Sequence, residues 1–308
     1  MTTTGPTPTR SSAGPALAVA VVATLPYLAL KGLWLSGSSV GLTPEAAAEM
    51  HTGRFLIGNS VTVVLEVLAL VLAWSLTRPW ATRMPTRLFA LLASGASGLL
   101  APILLGLPIG QVAQTVVHGS PSFEGEGMQP WVFACVYGGF VLLGAALAWG
   151  IVGHARQRWG ARFTTPPTAT RPWALVAGAV GLAPFGLAML WWGVAGPGSL
   201  GPQGMESPVQ RTVLVVTGML SLAAVLVPVL IRLSGPARAM SPGRTQLAWL
   251  VVWVGCCTAA LQGPTQLLLA HGGEVQPAIA AIALLATPGA ALHGLGLLAA
   301  HRQRGGGG

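Results

Sequence analysis

Apolar residues come in runs of about twenty along the whole chain, separated by short polar connections. Eight such runs stand out, at about 14–36, 55–76, 88–110, 131–152, 173–195, 212–233, 246–270 and 277–300. At the helical rise each is long enough to cross a hydrocarbon layer about 30 Å thick. Backbone groups in lipid find no water to bond, so the runs are expected to be helices. The pattern predicts an all-α integral membrane protein with eight transmembrane helices.

Composition agrees. Of 308 residues, 53% are hydrophobic and 7% are charged, against about 25% charged in a soluble domain. The net charge of +9 invites a nucleic-acid partner, but the arginines are not gathered on one soluble surface. Arg10 precedes the first run; Arg78, Arg83 and Arg87 follow the second. Arg156, Arg158, Arg162 and Arg171 follow the fourth, Arg232, Arg238 and Arg244 the sixth, and Arg302 and Arg304 the eighth. The alternate connections hold Arg54 and Arg211 together with Glu45, Glu49, Glu124, Glu126, Glu206 and Glu274. By the positive-inside rule both termini are cytoplasmic. The basic balance reports topology and some attraction to lipid headgroups, so the expected partner is the bilayer and not nucleic acid. The polar, basic, then apolar N-terminus has the order of a signal peptide. Its apolar run is long for one and has a counterpart deeper in the chain, so a true span is expected. Cys135, Cys256 and Cys257 all fall inside runs, as apolar packing residues and not as a disulfide framework.

That counterpart is part of an internal duplication. "ALAVAVVATLPYLALKGLWLSG" aligns without gaps on "ALVAGAVGLAPFGLAMLWWGVAG", pairing Pro26 with Pro184, Tyr27 with Phe185 and Trp34 with Trp192. One residue of slip later, Glu49 meets Glu206 and Arg54 meets Arg211. Near the end of each unit, Gln129–Pro130 meets Gln276–Pro277 and His154 meets His301. Four spans per unit give both halves the same orientation, so the repeat is parallel. The expected organisation is a first four-helix repeat at 1–158, a cytoplasmic Pro/Thr-rich linker at 159–172 and a second repeat at 173–308. The 42 glycines let spans approach closely.

The halves differ where chemistry is expected. The only lysine, Lys31, corresponds to Met189, and Glu66, the only acidic residue at depth, corresponds to Ala223. Asn59, Thr62 and Glu66 stand at i, i+3 and i+7 and form one polar stripe; Asn59 and Thr62 correspond to Val216 and Met219. A carboxylate at mid-bilayer costs about 2.5–3.5 kcal/mol on insertion scales and usually faces a partner or a water-filled cavity. Glu66, Asn59, Thr62 and Lys31 are therefore the candidate substrate- or ion-binding residues. Lys31 has three open accounts: its stem snorkels to the headgroups, it pairs with Glu66, or it touches a ligand. Glu66 has two: a protonated carboxyl bonded to a neighbouring helix, or a proton, cation or substrate site. Glu49, Arg54, Glu206 and Arg211 are expected to organise the outer rim.

Other features point less far. "LQGPTQ", Leu261 to Gln266, puts a proline in the seventh run, where freed carbonyls either coordinate cations or are satisfied by neighbours. Pro26, Pro102, Pro184, Pro228 and Pro288 show that such kinks recur. His293 lacks a second histidine at ligand spacing, so no metal and no cofactor are expected. "GASG", Gly95 to Gly98, fits the G-x-S-G of rhomboid-type intramembrane proteases, with His293 as a base; span number and order otherwise differ from rhomboids. No P-loop, Rossmann glycine pattern, HExxH or zinc-type cysteine cluster occurs.

The Ala-, Arg- and Gly-rich bias with one lysine suggests a high-GC bacterial genome. "PYLALKGLW", within Pro26–Leu42, resembles a segment near the start of uncharacterised multi-pass membrane proteins of high-GC bacteria, a resemblance that implies a bacterial plasma-membrane location and no activity. The leading expectation is a transport-type or channel-like protein whose ligand is a small solute or cation. The alternative is a non-catalytic subunit or accessory protein that binds another membrane protein; an intramembrane enzyme comes third, and no enzymatic activity is expected.

Overall fold

The computed structural model describes residues 13–123, 127–160, 163–168, 171–234, 240–268 and 275–305. Arg10, Glu124, Glu126, Arg162, Arg238 and Glu274 lie outside the described residues. Along the chain run α1 (Ala13–Leu35), the short α2 (Pro44–Glu49), α3 (Gly53–Leu76), α4 (Thr86–His118), α5 (Pro130–Trp159) and α6 (Pro172–Ala177). A π turn, Gly178–Leu182, carries α6 into α7 (Ala183–Ala195). Then come α8 (Pro208–Leu233), α9 (Pro242–Leu268) and α10 (Pro277–Gly305). Counting α6, the π turn and α7 as one, eight helices among the described residues are long and apolar enough to cross a membrane. This is a multi-pass membrane protein. No strand forms among the described residues; the one extended contact is an isolated bridge between Leu42 and Met128.

Local chemistry sets the ends. Thr52 caps α3 through the Phe55 N–H, and Ser207 with Gln210 makes a reciprocal capping box on α8. Proline opens α5, α6 and α8, where its missing N–H costs nothing. α4 continues past the apolar run ending near 110, and two of its polar side chains there find local partners. Thr115 donates to the Gln111 carbonyl at 2.8 Å, and Gln111 Nε2 donates to the Ser122 carbonyl at 2.6 Å. Gly119, in the left-handed region at φ 77°, then ends it.

In the first group of spans α1 packs on α3 and α5, and α4 on α5. In the second, α8 packs on α7 and α9, and α10 packs on α9, α6 and the π turn. The two groups join chiefly through α4, which lies along α8 and α9. Lipid tails offer helices no hydrophobic incentive to associate, so close backbone packing has to supply it. A Cβ at Gly106 or Gly110 of α4 would stand 2.8 Å from the Cα of Val213 or Val209 on α8. Gly181 and Gly289 play the same part where α10 crosses the π turn.

Three of the prolines inside the spans, Pro102, Pro228 and Pro264, make a second kind of packing contact. Each lacks the N–H that would bond the carbonyl four residues earlier. Pro102 thus frees Gly98, Pro228 frees Ala224 and Pro264 frees Ala260. A side chain from a neighbouring helix meets each of these carbonyls. Gln262 Nε2 donates to Gly98 O at 3.0 Å, Thr287 Oγ1 donates to Ala260 O at 2.9 Å, and His293 Nε2 lies 3.0 Å from Ala224 O. The "LQGPTQ" segment is therefore a kink satisfied by its neighbours, with Gln262 itself completing the kink of α4. His293, with 0% exposure, also places Nδ1 2.7 Å from Ala174 O, and so lies between α6 and α8.

This arrangement predicts that Thr287→Val destabilises the protein by about 1 kcal/mol, the scale of hydrogen bonds between membrane helices. The cost should shrink in a Pro264→Ala background, where the restored N–H supplies the carbonyl with a partner. A double-mutant cycle on unfolding in detergent measures this; equal costs in both backgrounds would contradict it.

Candidate functional site

Lys31 lies four residues before the end of α1 and Asn59 six residues after the start of α3, so the two meet about 6–9 Å from the same end of the bundle. Lys31 Nζ donates to Asn59 Oδ1 at 2.8 Å. Asn59 Nδ2 donates to the Phe55 carbonyl at 2.9 Å, which turns the amide oxygen toward the lysine. Tyr27 and Trp34 share the Lys31 face of α1, one turn to either side. The ammonium sits 4.3 Å from the Tyr27 ring centroid and 5.9 Å from that of Trp34. Trp34 is fixed by its own Nε1 bond to the Val40 carbonyl at 2.8 Å, and Tyr27 packs edge-on against Phe140 at 5.3 Å. Cation–π contacts are worth about 0.5–1 kcal/mol when exposed and ~2 kcal/mol or more when desolvated. Lys31 is 2% exposed. It turns inward to an amide and two rings and does not snorkel.

Glu66 lies two turns further along the stripe, near the middle of α3, about 10 Å from Asn59 along the axis. It is 4% exposed, and neither carboxyl oxygen has a hydrogen-bond partner. Lys31, Tyr27 and Glu66 are near enough to feel one another's charge. The lysine nevertheless gives its hydrogen bond to Asn59, and no direct Lys31–Glu66 bond forms. Thr62, between them, donates to the Gly58 and Asn59 carbonyls of its own helix, each at 3.0 Å. Lys31 and Asn59 are thus brought together, while Glu66 stands alone at the deep end of the stripe. The Glu66 oxygens are buried acceptors that an incoming proton or cation would satisfy.

Two of the four rim residues, Arg211 and Arg54, serve helix ends. Arg211 donates through Nε to the Gly193 carbonyl at 3.0 Å and through Nη2 to that of Val194, neutralising the C-terminal dipole of α7. Arg54 does not serve α1 in the same way: it reaches the Leu268 carbonyl at the end of α9, at 3.4 Å, and so links the two groups of spans. Glu206 accepts from the Gly204 N–H at 3.0 Å, and the Glu49 carbonyl accepts from Thr52 Oγ1 at 2.7 Å. Glu45, exposed in the first turn of α2, has its carboxyl held below the usual range by a backbone N–H and by Thr43.

Ser97 and His293 form no dyad. Trp253 Nε1 lies 3.4 Å from Ser97 Oγ, and both His293 nitrogens face backbone carbonyls. Among the described residues no three of His, Cys, Asp or Glu gather as metal ligands. Tyr27 and Trp34 are the members of the site that sequence reasoning passed over. It used both as landmarks of the duplication; their i−4 and i+3 spacing from Lys31 is the signal that marks them as its cage.

A buried ammonium stripped of its amide is expected to be costly. Asn59→Leu should destabilise the protein by up to about 3–5 kcal/mol, the range for breaking one side of a buried charged contact. Lys31→Met in the same chain should recover most of the loss. Unfolding in detergent measures both, and additive losses would show that the two residues act separately.

No family model matches the chain, and comparison with curated proteins and with solved structures finds none similar to it.

Proposed function

We propose that the chain is a transport-type or channel-like protein of the bacterial plasma membrane, with both termini cytoplasmic and its working site in the first four spans. That site comprises Glu66, Asn59, Thr62 and Lys31, now with Tyr27 and Trp34. The remaining spans are scaffold. The observation that carries this reading is Glu66: a deeply buried carboxyl with two unpartnered oxygens, in a chain of seven acidic residues. A polar group at depth costs too much to be kept without a use or a partner; the equally buried His293 of α10 and Ser221 of α8 meet backbone carbonyls, whereas neither Glu66 oxygen has a hydrogen-bond partner. The parallel-repeat organisation draws support from the matching contacts: α1 on α3 and α5 in one half, α7 on α8 and α6 on α10 in the other.

The test is thermal stability in detergent across pH and a panel of cations and small solutes, for wild type, Glu66→Gln, Lys31→Met and the double variant. Glu66→Gln is expected to be at least as stable as wild type and to lose a pH- or ligand-dependent shift that wild type shows. Destabilisation by each single change with recovery in the double would instead make the two residues a structural pair.

A second reading has its own observation. The apolar stretch of α3 is only 17% buried, against 44% in α9, so the span that carries the stripe is also the barest. This suits an accessory subunit that docks α3 on another membrane protein. A photo-crosslinker at Val64, on the exposed face of α3, would then capture one stoichiometric protein in native membranes; lipid adducts alone would dismiss it.

A further inference from the structure

The segment that leads into α6 is clasped to the second group of spans. Thr165 Oγ1 lies 2.9 Å from His301 Nδ1 near the end of α10, and the Thr165 carbonyl accepts from Trp249 Nε1 at 2.9 Å. Phe163 lies nearly parallel to the His301 ring, 5.4 Å between centroids, while Trp249 stands edge-on to it at 5.2 Å. The sequence of this segment recurs before α1. Thr3, Thr4, Pro6, Thr7, Thr9 and Arg10 match Thr164, Thr165, Pro167, Thr168, Thr170 and Arg171, six identities in eight positions aligned without a gap. After three extra residues in the first copy, Ala16–Leu17 matches Ala174–Leu175.

A second cage of the same kind stands in the first group. His154, near the end of α5, lies 4.7 Å from Phe89, tilted by 32°, and 5.9 Å from Trp159, edge-on at 79°. The Phe and Trp centroids are 5.2 Å apart in both cages. Their rings come from different places. Where Trp159 follows Arg158, Gly305 follows Arg304, and the second cage takes its missing ring from Phe163. Where Phe163 precedes the Thr-rich match, the first copy has Thr2. The first cage is thus complete in rings without the segment before α1. What it lacks is the hydroxyl. His154 is 7% exposed, and its Nε2 has no hydrogen-bond partner among the described residues, although buried polar groups normally have one.

We infer that residues 3–10 dock on this cage, with Thr4 the partner of His154 as Thr165 is of His301. Residues 1–12 lie outside the described residues, and α1 begins at Ala13. The reach is sufficient. Ala16 and Leu17 pack in one apolar cluster with Phe89, Ile151 and Trp159, as Leu175 packs in one with Phe163 and Trp249. Thr4 is 12 residues from Ala16 and Thr165 is 9 from Ala174, so the first segment has the longer chain with which to span the distance. Docking fastens the start of α1, the helix that carries Lys31, to α4 and α5. Nothing in this depends on what Glu66 binds.

Photo-crosslinking of the full-length protein in membranes tests the docking. Benzoylphenylalanine is placed at Thr3, which leaves Thr4 free to bond, and at Thr164 as a yardstick, and the adducts are mapped by peptide mass. The expected result is that the probe at Thr3 joins the 84–89 or 154–159 segment of the same chain, as the probe at Thr164 joins the start of α9 or the end of α10. Adducts at Thr3 with lipid alone, with another protein or with a second copy of the chain, or no adduct at all, would overturn the docking. Thermal unfolding then identifies the contact. Thr4→Val should lower the Tm by about 2 °C, and should have no effect in a His154→Phe background, which keeps a ring beside Phe89 and Trp159 but offers no nitrogen. An equal loss in both backgrounds, or no loss in wild type, would overturn the His154 contact. The crosslinks are read with His154 intact, so a folding defect in His154→Phe cannot mask the outcome.

Discussion

Within a bilayer every backbone carbonyl needs a protein partner, and the packing of this molecule follows from that need. Straight helices meet it alone. The spans here are not uniform helices: Pro102, Pro228 and Pro264 each strip a carbonyl of its usual N–H. The chain answers from outside the kinked helix, through Gln262, His293 and Thr287. At these three positions the kink becomes a joint between helices. α9 closes the kink of α4 while α10 closes those of α8 and α9, and this places the proline joints in the second group of spans and at its seam with α4. Glycine contacts between α4 and α8 bring the backbones together at the same seam.

The first group lacks this riveting where it matters for function. α3 carries no proline and packs on α1, α5 and α4, while Arg54 near its start reaches the second group at Leu268. Toward the end where α1 begins and α3 finishes lies an apolar cluster that includes Leu72, Phe89, Leu143, Leu147 and Ile151. Toward the other end lie Thr62, Asn59 and Lys31. Along α3, Glu66 thus lies between the polar stripe and the level of Leu72 in that cluster. α3 is the least enclosed of the spans, and so the one whose displacement breaks the fewest contacts.

The spans were legible in the sequence because length and hydropathy are all that the bilayer demands of a helix. The end of α4 was not legible, since Gln111 to His118 read as a connection and instead continue as helix, with Thr115 and the Gln111 amide nitrogen bonded locally. The polar stripe on α3 was legible from i, i+3, i+7 spacing alone. Which group on α3 would receive the lysine was not, because that depends on the vertical offset between α1 and α3, a tertiary quantity. The offset puts Lys31 level with Asn59 and two turns from Glu66. The carbonyl joints were half legible: prolines announce a freed acceptor, but the donor comes from a helix that sequence order does not identify.

That offset also explains why a lysine stands at position 31 in a chain that otherwise uses arginine for every cation. The cage offers one amide oxygen, from Asn59, and the faces of Tyr27 and Trp34. An ammonium is a compact point charge that such a site can hold, with one strong hydrogen bond and two aromatic faces. A guanidinium brings five N–H donors in a fixed planar fork. In a pocket with a single oxygen acceptor most of them would be buried without partners, each at a cost of about 1–3 kcal/mol. At the ends of the helices, where carbonyls are plentiful, the preference reverses: Arg211 spans the Gly193 and Val194 carbonyls and Arg158 reaches that of Met84 at 2.7 Å. The two cation types thus sit where their donors are used: Lys31 on one amide oxygen and two rings, Arg211 on two carbonyls.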